Sequence, residues 1–346
     1  MQKQDIRSML PEELESALVA MGEQKFRAKQ IFQWLGRGVV SFDEMTNLSV
    51  PLRNKLAAAF TLAVPTLLAK QVSKEDGTIK YLWAMEDGNT VETVLMRYHH
   101  GNTVCISTQI GCRMGCTFCA STIGGLVRNL EPSEMLNQVL FTAKDSGQLI
   151  SNIVLMGIGE PLDNLDNVLR FLKLVNHPDG LNIGMRHITL STSGMVEEID
   201  KLGLHNVQLT LSVSLHAPDD KTRNQLVPTN RKAGVDALMA ACKRYFERTG
   251  RRVSFEYAMI DGVNDTKEHL EHLVKRMQHA GGHLNLIPLN PIAERTLGPS
   301  GKSNLDTFTE TLRQRGINVT VRRSLGGDID ASCGQLRRRR EKERVT

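Results

Sequence analysis

Cys112, Cys116 and Cys119 stand in a Cys-x3-Cys-x2-Cys pattern, three of the chain's six cysteines within eight residues. Thiolates this close in sequence can converge on one metal centre. Structural zinc asks for four ligands, usually as two separated pairs. The other cysteines, Cys105, Cys242 and Cys333, form no second Cys-x2-Cys. A three-thiolate centre leaves one metal position open, and an open position is where chemistry can take place. The plainer readings are a zinc knuckle completed by a distant ligand, or three reduced buried thiols.

The remaining cysteines separate by surroundings. Cys242 lies at helical spacing among Val235, Leu238, Met239, Tyr245 and Phe246, the setting of an inert buried thiol. Cys105 sits inside a strand-like run seven residues before the cluster, and Cys333 falls in a stretch of loop character, Gly327 to Leu336. A lone cysteine in a loop suits a reactive thiol. In the run Thr90–Met96 the alternation puts Glu92 on the face of Val94 and Met96. A carboxylate on an apolar face either lies at an open sheet edge or has a raised pKa and a task.

The elements that must position these residues follow from periodicity. Residues 1–60 read as short helices. Pro11, Glu12 and Glu13 after Ser8 make a helix start, and Leu14, Leu18 and Met21, then Ala28, Ile31, Phe32 and Leu35, repeat at helical intervals. Ser41-Phe42-Asp43-Glu44 matches a capping box. Residues 61–98 alternate in three runs separated by Asp76-Gly77 and Asp87-Gly88, dipeptides suited to hairpin turns. From residue 104 onward strand-like runs (104–110, 152–157, 187–192, 208–216, 252–260, 283–290) alternate with helical patterns (132–146, 164–177, 195–204, 235–249, 265–280, 303–315). Six βα units with right-handed crossovers predict a parallel sheet curled into a partial barrel. The expected class is therefore α/β, with a helical domain at 1–60, a β-hairpin extension at 61–98, the barrel at 99–325 and a C-terminal loop and tail at 326–346.

Parallel barrels carry their chemistry at the C-terminal ends of the strands. Here those ends hold the cysteine cluster, Gly157-Ile158-Gly159-Glu160-Pro161, Ser191-Thr192-Ser193-Gly194, Ser214-Leu215-His216-Ala217-Pro218 and Asn285–Pro291. Each alone is weak, since Gly-x-Gly is often only a turn and His216 could be a satisfied core histidine. Their shared position beside a candidate metal centre makes them a set.

At 346 residues the chain can hold one large α/β domain and a small one. The polar start and the lack of any apolar run near ~18 residues make a cytoplasmic protein with no membrane span the expectation, and clustered free thiols suit a reducing compartment. Most of the formal net charge of +5 lies in residues 337–346, where six Lys and Arg face two Glu. Such a tail could bind phosphate backbones or simply be a solvated end. Lys25, Arg27 and Lys29 around Phe26 pose the same choice, and there a solvated helix flank is the simpler reading.

The cluster motif resembles that of the radical S-adenosylmethionine (SAM) enzymes. Taken with Arg128-Asn129-Leu130, Gly157–Pro161, Ser191–Gly194, Ser214–Pro218, Gly262-Val263-Asn264-Asp265, Asn285–Pro291 and Asp328–Leu336, the chain looks like the RlmN/Cfr family of RNA adenine methyltransferases, from the N-terminal helices to Leu336. The resemblance implies a partial (βα)6 barrel. It implies one 4Fe–4S cluster on Cys112, Cys116 and Cys119, and SAM held by Gly159, Glu160, Ser191, Ser214, Leu215, His216 and Asn290. It implies two SAM molecules per turnover, one methylating Cys333 and one split into a radical that activates that methyl group for addition to adenine. Glu92 would then accept the ring proton. Cys105 would resolve the covalent RNA adduct, leaving a Cys105–Cys333 disulfide for a thiol reductant, while an outside reductant such as flavodoxin would feed the cluster.

The segment Ala120–Leu130 looks like the branch that methylates carbon 2, which implies 23S rRNA and the adenosine 3′ of the tRNA anticodon as substrates. A monomer is expected. Two departures stand beside the reacting positions: Ala331-Ser332-Cys333 where Ala-Ala-Cys is usual, and Val227-Pro228-Thr229-Asn230 where Met-Pro-Ile-Asn is usual. The competing readings are methylation of carbon 8, and a non-catalytic iron–sulfur protein that binds RNA or carries electrons.

Overall fold

The computed structural model describes residues 3–292, 294–329 and 334–337. Three helices lead: α1 (Pro11–Ala20), α2 (Arg27–Gly36) and α3 (Val50–Ala59). At the start of α1 the Glu13 carboxylate accepts the Leu10 N–H at 2.9 Å, satisfying a donor that the helix itself leaves unpaired. The capping signature at Ser41 does not open an α-helix. It yields one 3-10 turn, Phe42–Glu44, with no side-chain bond from Ser41, because Glu44 turns to the Val40 N–H instead.

Strands β1 (Thr66–Val72), β2 (Ile79–Ala84) and β3 (Thr90–Tyr98) follow as an antiparallel meander. Its turns carry Gly77 and Gly88 at φ +72° and +80°, the region only glycine enters without strain. The extension is not a separate sheet. β3 pairs antiparallel with β4 (Gly101–Cys105), so Glu92 lies inside the sheet rather than at an open edge.

The chain continues through β5 (Gln109–Gly111), β6 (Leu126–Asn129), α4 (Pro132–Ser146), β7 (Ile150–Leu155), α5 (Leu165–Asn176), β8 (Ile188–Thr192), α6 (Val196–Leu204), β9 (Thr210–Ser214), α7 (Asp220–Leu226), α8 (Gly234–Thr249), β10 (Val253–Met259), α9 (Lys267–Ala280), β11 (His283–Pro288), α10 (Lys302–Gln314) and β12 (Val319–Val321). Strands β4, β7, β8, β9, β10, β11 and β12 run parallel in that order, the predicted six plus the short β12.

The run expected as one strand over 104–110 is split. Gln138 on α4 takes the Ser107 N–H on its Oε1 at 2.8 Å and gives its Nε2 to the Ser107 carbonyl at 3.0 Å. With both polar groups of Ser107 bonded to a side chain, the backbone leaves the sheet and re-forms as β5, which pairs with β6. The cysteine loop is the connection between these two strands.

One continuous hydrophobic core runs from Ile6 and Leu14 in the N-terminal helices to Val319 in β12. Arg7, 1 % exposed, ties the helical layer to the rest: its guanidinium donates to the carbonyls of Ala63 and Val39 and to Asn137 Oδ1 on α4. Cys242 is buried on α8, as its spacing predicts. Among the described residues no helix is long and apolar enough to cross a membrane.

Candidate active site

The cysteine loop is shaped by backbone constraints. Gly111 ends β5 at φ +78°, and a Cβ there would lie 2.0 Å from the Gly125 carbonyl oxygen, which accepts the Cys112 N–H at 3.0 Å. Thr122 Oγ1 donates to the carbonyls of Cys116 and Cys119 at 3.1 and 3.0 Å, closing the loop on itself. Among the described residues no three ligand-type side chains gather round a single point. The three thiols line one cavity of about 240 Å³, and Cys112 and Cys119 both help to push the Cys116 thiol well above its ordinary value, after burial. Burial pushes the Cys112 thiol up to about 12, with nearby Cys119 adding to the shift. Thiolates there need positive charge beside them, which a metal cluster supplies.

The same cavity is lined by Gly157, Gly159, Glu160, Ser191, Ser193, Ser214 and His216 at the strand ends. Gly159, at φ +110°, leaves no room for a Cβ, which would meet the Gln109 side chain at 2.6 Å. Burial raises the pKa of Glu160, opposed by N–H bonds from Ser193 at 2.7 Å and Leu162 at 3.1 Å. His216 adopts a left-handed φ of +55°. Its Nδ1 accepts the Ala258 N–H at 3.0 Å, which leaves Nε2 as the protonated nitrogen, and its ring packs edge-on to Phe118 at 4.8 Å. Burial holds its pKa down at about 3, helped by the Arg223 charge, so the imidazole is neutral. Asn264, from the Gly262–Asp265 motif, secures the turn by donating to the carbonyls of His216 and Ala258. Leu215 differs from its neighbours: its side chain is fully buried in the core, its N–H bonds to Glu256 and its carbonyl to Arg223.

A second cavity, of about 220 Å³, holds Cys105, Asn290, Val94 and Met96, and shares Met156, Ile287 and Arg322 with the first. Cys105 is 7 % exposed in an apolar cluster with Val94 and Met96. Glu92, 3 % exposed, forms an ion pair with buried Lys80 at 2.9 Å. Its carboxylate also accepts the backbone N–H groups of Gly334 and Arg337 at 2.6 and 2.7 Å. Cys333 and the basic tail from Arg338 onward lie outside the described residues. Gly334, next to Cys333, packs against Ala120, so a Cβ on it would come within 3.1 Å of the Ala120 Cβ.

Sequence reasoning missed three residues. Arg223 on α7, 1 % exposed, donates to the carbonyls of Ser193, Ser214 and Leu215 and to Asn230 Oδ1. It therefore ties together the loops after β8 and β9, and Asn230 from the departing Val227–Asn230 segment completes its shell. Glu256 on β10 accepts from Ser212 Oγ and Asn285 Nδ2, while its buried Oε2 and the Ser193 Oγ have no hydrogen-bond partner among the described residues. Both residues line the first cavity, so these atoms suit a polar ligand such as SAM. Lys80 is the third. An acid in an apolar strand could have flagged Glu256; nothing local flags Arg223 or Lys80.

A partial parallel barrel whose strand ends face a three-cysteine loop is the arrangement of the radical SAM class, and the radical SAM superfamily model matches residues 106–277. A second model, the ribosomal RNA large subunit methyltransferase N-terminal domain, matches residues 4–62. Two relatives named probable dual-specificity RNA methyltransferase RlmN are each 51 % identical to the chain. The one from Desulforamulus reducens aligns over 98 % of this chain and 97 % of its own length, and the one from Alkaliphilus oremlandii over 98 % and 99 %. A crystal structure of a radical SAM methyltransferase from Sphaerobacter thermophilus superposes at a TM-score of 0.91 with 44 % identity, covering 96 % of this chain and 98 % of that one. The chain belongs to the RlmN family of radical SAM methyltransferases.

Proposed function

We propose that this protein methylates carbon 2 of an adenosine in 23S rRNA and of the adenosine 3′ of the anticodon in tRNA, using Cys333 as methyl carrier. Cys112, Cys116 and Cys119 would hold one 4Fe–4S cluster, and Glu160, Ser191, Ser214 and His216 would hold SAM. When bound, the cluster supplies the electron that splits one SAM and so activates the methyl group for an electron-poor ring carbon. The residues of the chain do the rest. The Cys333 thiolate takes a methyl group from the other SAM by displacement. Glu92 accepts the ring proton, and the Cys105 thiolate attacks the Cys333 sulfur, releasing product and leaving a disulfide that a thiol reductant reopens.

The observation that carries this reading is adjacency. The cavity of the cluster thiols abuts the cavity of Cys105, and the residue after Cys333 rests on both Glu92 and the turn that follows Cys119. Support for RNA as substrate comes from the names of the relatives. RNA recognition of this kind rests on shape and an extruded base. Residues 1–60 are proposed as an RNA-contacting layer, where Arg27 stacks 4.8 Å over the exposed Phe26 ring. The protein is proposed to act as a cytoplasmic monomer fed by an external one-electron donor.

Anaerobic SAM cleavage and methyl transfer, compared between wild type and Cys333→Ala, test the carrier. The variant is expected to transfer no methyl group to RNA. Nucleosides from a deletion strain should lose 2-methyladenosine from both RNA pools, and unchanged levels in both would sink the assignment.

A further inference from the structure

Glu92 stands on β3, which joins the barrel sheet through its pairing with β4, and both its oxygens accept from residues near the C-terminus. Oε2 takes Lys80 Nζ at 2.9 Å and the Gly334 N–H at 2.6 Å, and Oε1 takes the Arg337 N–H at 2.7 Å. Lys80 comes from β2. It sits opposite Val94 while Leu82 sits opposite Glu92, so lysine and glutamate form a diagonal pair on one sheet face. Lys80 is fully buried. A second tether precedes the cysteine. The β1–β2 turn holds Gly326 through Asp76 Oδ2 at 2.7 Å, and Asp328 through Ser73 Oγ at 2.6 Å and the Lys74 N–H at 2.8 Å. The chain on either side of residues 330–333 is thus anchored to the same three strands.

We propose that β1, β2 and β3 form the dock for the segment that carries Cys333, and that Lys80 is its positioning residue. This rests on the reading of Cys333 as methyl carrier. Buried carboxylates persist as charges only when paired and hydrogen-bonded, and charge-assisted N–H bonds to them are the strong ones. Lys80 aims the Glu92 carboxylate through their ion pair, and that carboxylate accepts the N–H groups of Gly334 and Arg337, the described residues that follow Cys333. The same carboxylate serves as dock and as proposed proton acceptor.

Hydrogen–deuterium exchange on the full-length, anaerobically purified enzyme tests this in wild type, Lys80→Met, Lys80→Arg and Glu92→Gln, the last replacing the carboxylate by a neutral side chain of the same size. The Gly334 and Arg337 amides should exchange at least tenfold faster in Lys80→Met and Glu92→Gln, and close to wild type in Lys80→Arg, with the β9 and β10 amides unchanged in all four. Protein mass spectrometry after incubation with SAM should find methylated Cys333 reduced at least tenfold in Lys80→Met and restored in Lys80→Arg. Unchanged exchange at both amides in Lys80→Met overturns the dock. If that variant loses barrel protection as well, Glu92→Gln, which conserves volume, decides by the same criterion. Wild type that never carries a methyl on Cys333 would fail the carrier reading, while the exchange data still judge the dock.

Discussion

At Gly111 the backbone is held at φ +78° and the Gly125 carbonyl oxygen occupies the space a Cβ would need. Gly111→Ala therefore has to move the start of the cysteine loop. Iron bound after anaerobic reconstitution should fall severalfold, while circular dichroism of the barrel stays close to wild type. His216 makes a different prediction. Its pKa of about 3 lies below the ordinary value of 6.5, so the unfolded chain binds a proton that the folded one refuses between these limits. Its contribution to stability is complete above pH 6.5 and is lost as pH falls toward 3. From pH 6.5 to 5 the expected loss is about 2 kcal/mol, at ~1.4 kcal/mol per pH unit. Urea midpoints at pH 5 and pH 7 should differ less in His216→Asn than in wild type, and an equal difference would refute the assignment.

Among the elements, α7 owes its importance to one side chain. Arg223 spans the ends of β8 and β9, donating to three carbonyls in the loops that line the cavity. Burial lowers its pKa to about 10, still a cation at neutral pH. Arg223→Met would leave those carbonyls unpaired, at about 1–3 kcal/mol for each buried group left unsatisfied. The expected result is SAM binding weakened at least tenfold by equilibrium dialysis, together with a lower unfolding midpoint. Wild-type affinity would mean that the strand ends hold their shape without it. β4 illustrates a complementary point: Gln138 ends it by bonding both polar groups of Ser107, and so starts the hairpin that carries the cluster thiols.

On the scale of the molecule, the N-terminal helices and the barrel share one core, and Arg7 joins them with three bonds, two of them to buried acceptors. Arg7→Met should destabilise the whole protein by on the order of 3 kcal/mol, since a buried charged donor leaves several groups without partners. A single cooperative transition at lower urea is the expected outcome, and separate unfolding of the helical layer would contradict a shared core. The sheet extension likewise belongs to the barrel, continuing it through the β3–β4 pair.

Periodicity alone placed the helices of the barrel: the pattern at 132–146 is Pro132–Ser146, and that at 235–249 is Gly234–Thr249. It also put Glu92 on the face of Val94 and brought the cysteines, Glu160 and His216 to strand ends, because alternation and helical spacing record which side of an element is buried. The partners of Glu92 lay beyond its reach. Gly334 is 242 residues away, and the break at Ser107 depends on a glutamine 31 residues on. Local spacing says that a polar group faces inward; only the tertiary arrangement decides which distant donor meets it there, since that depends on which elements the topology sets side by side.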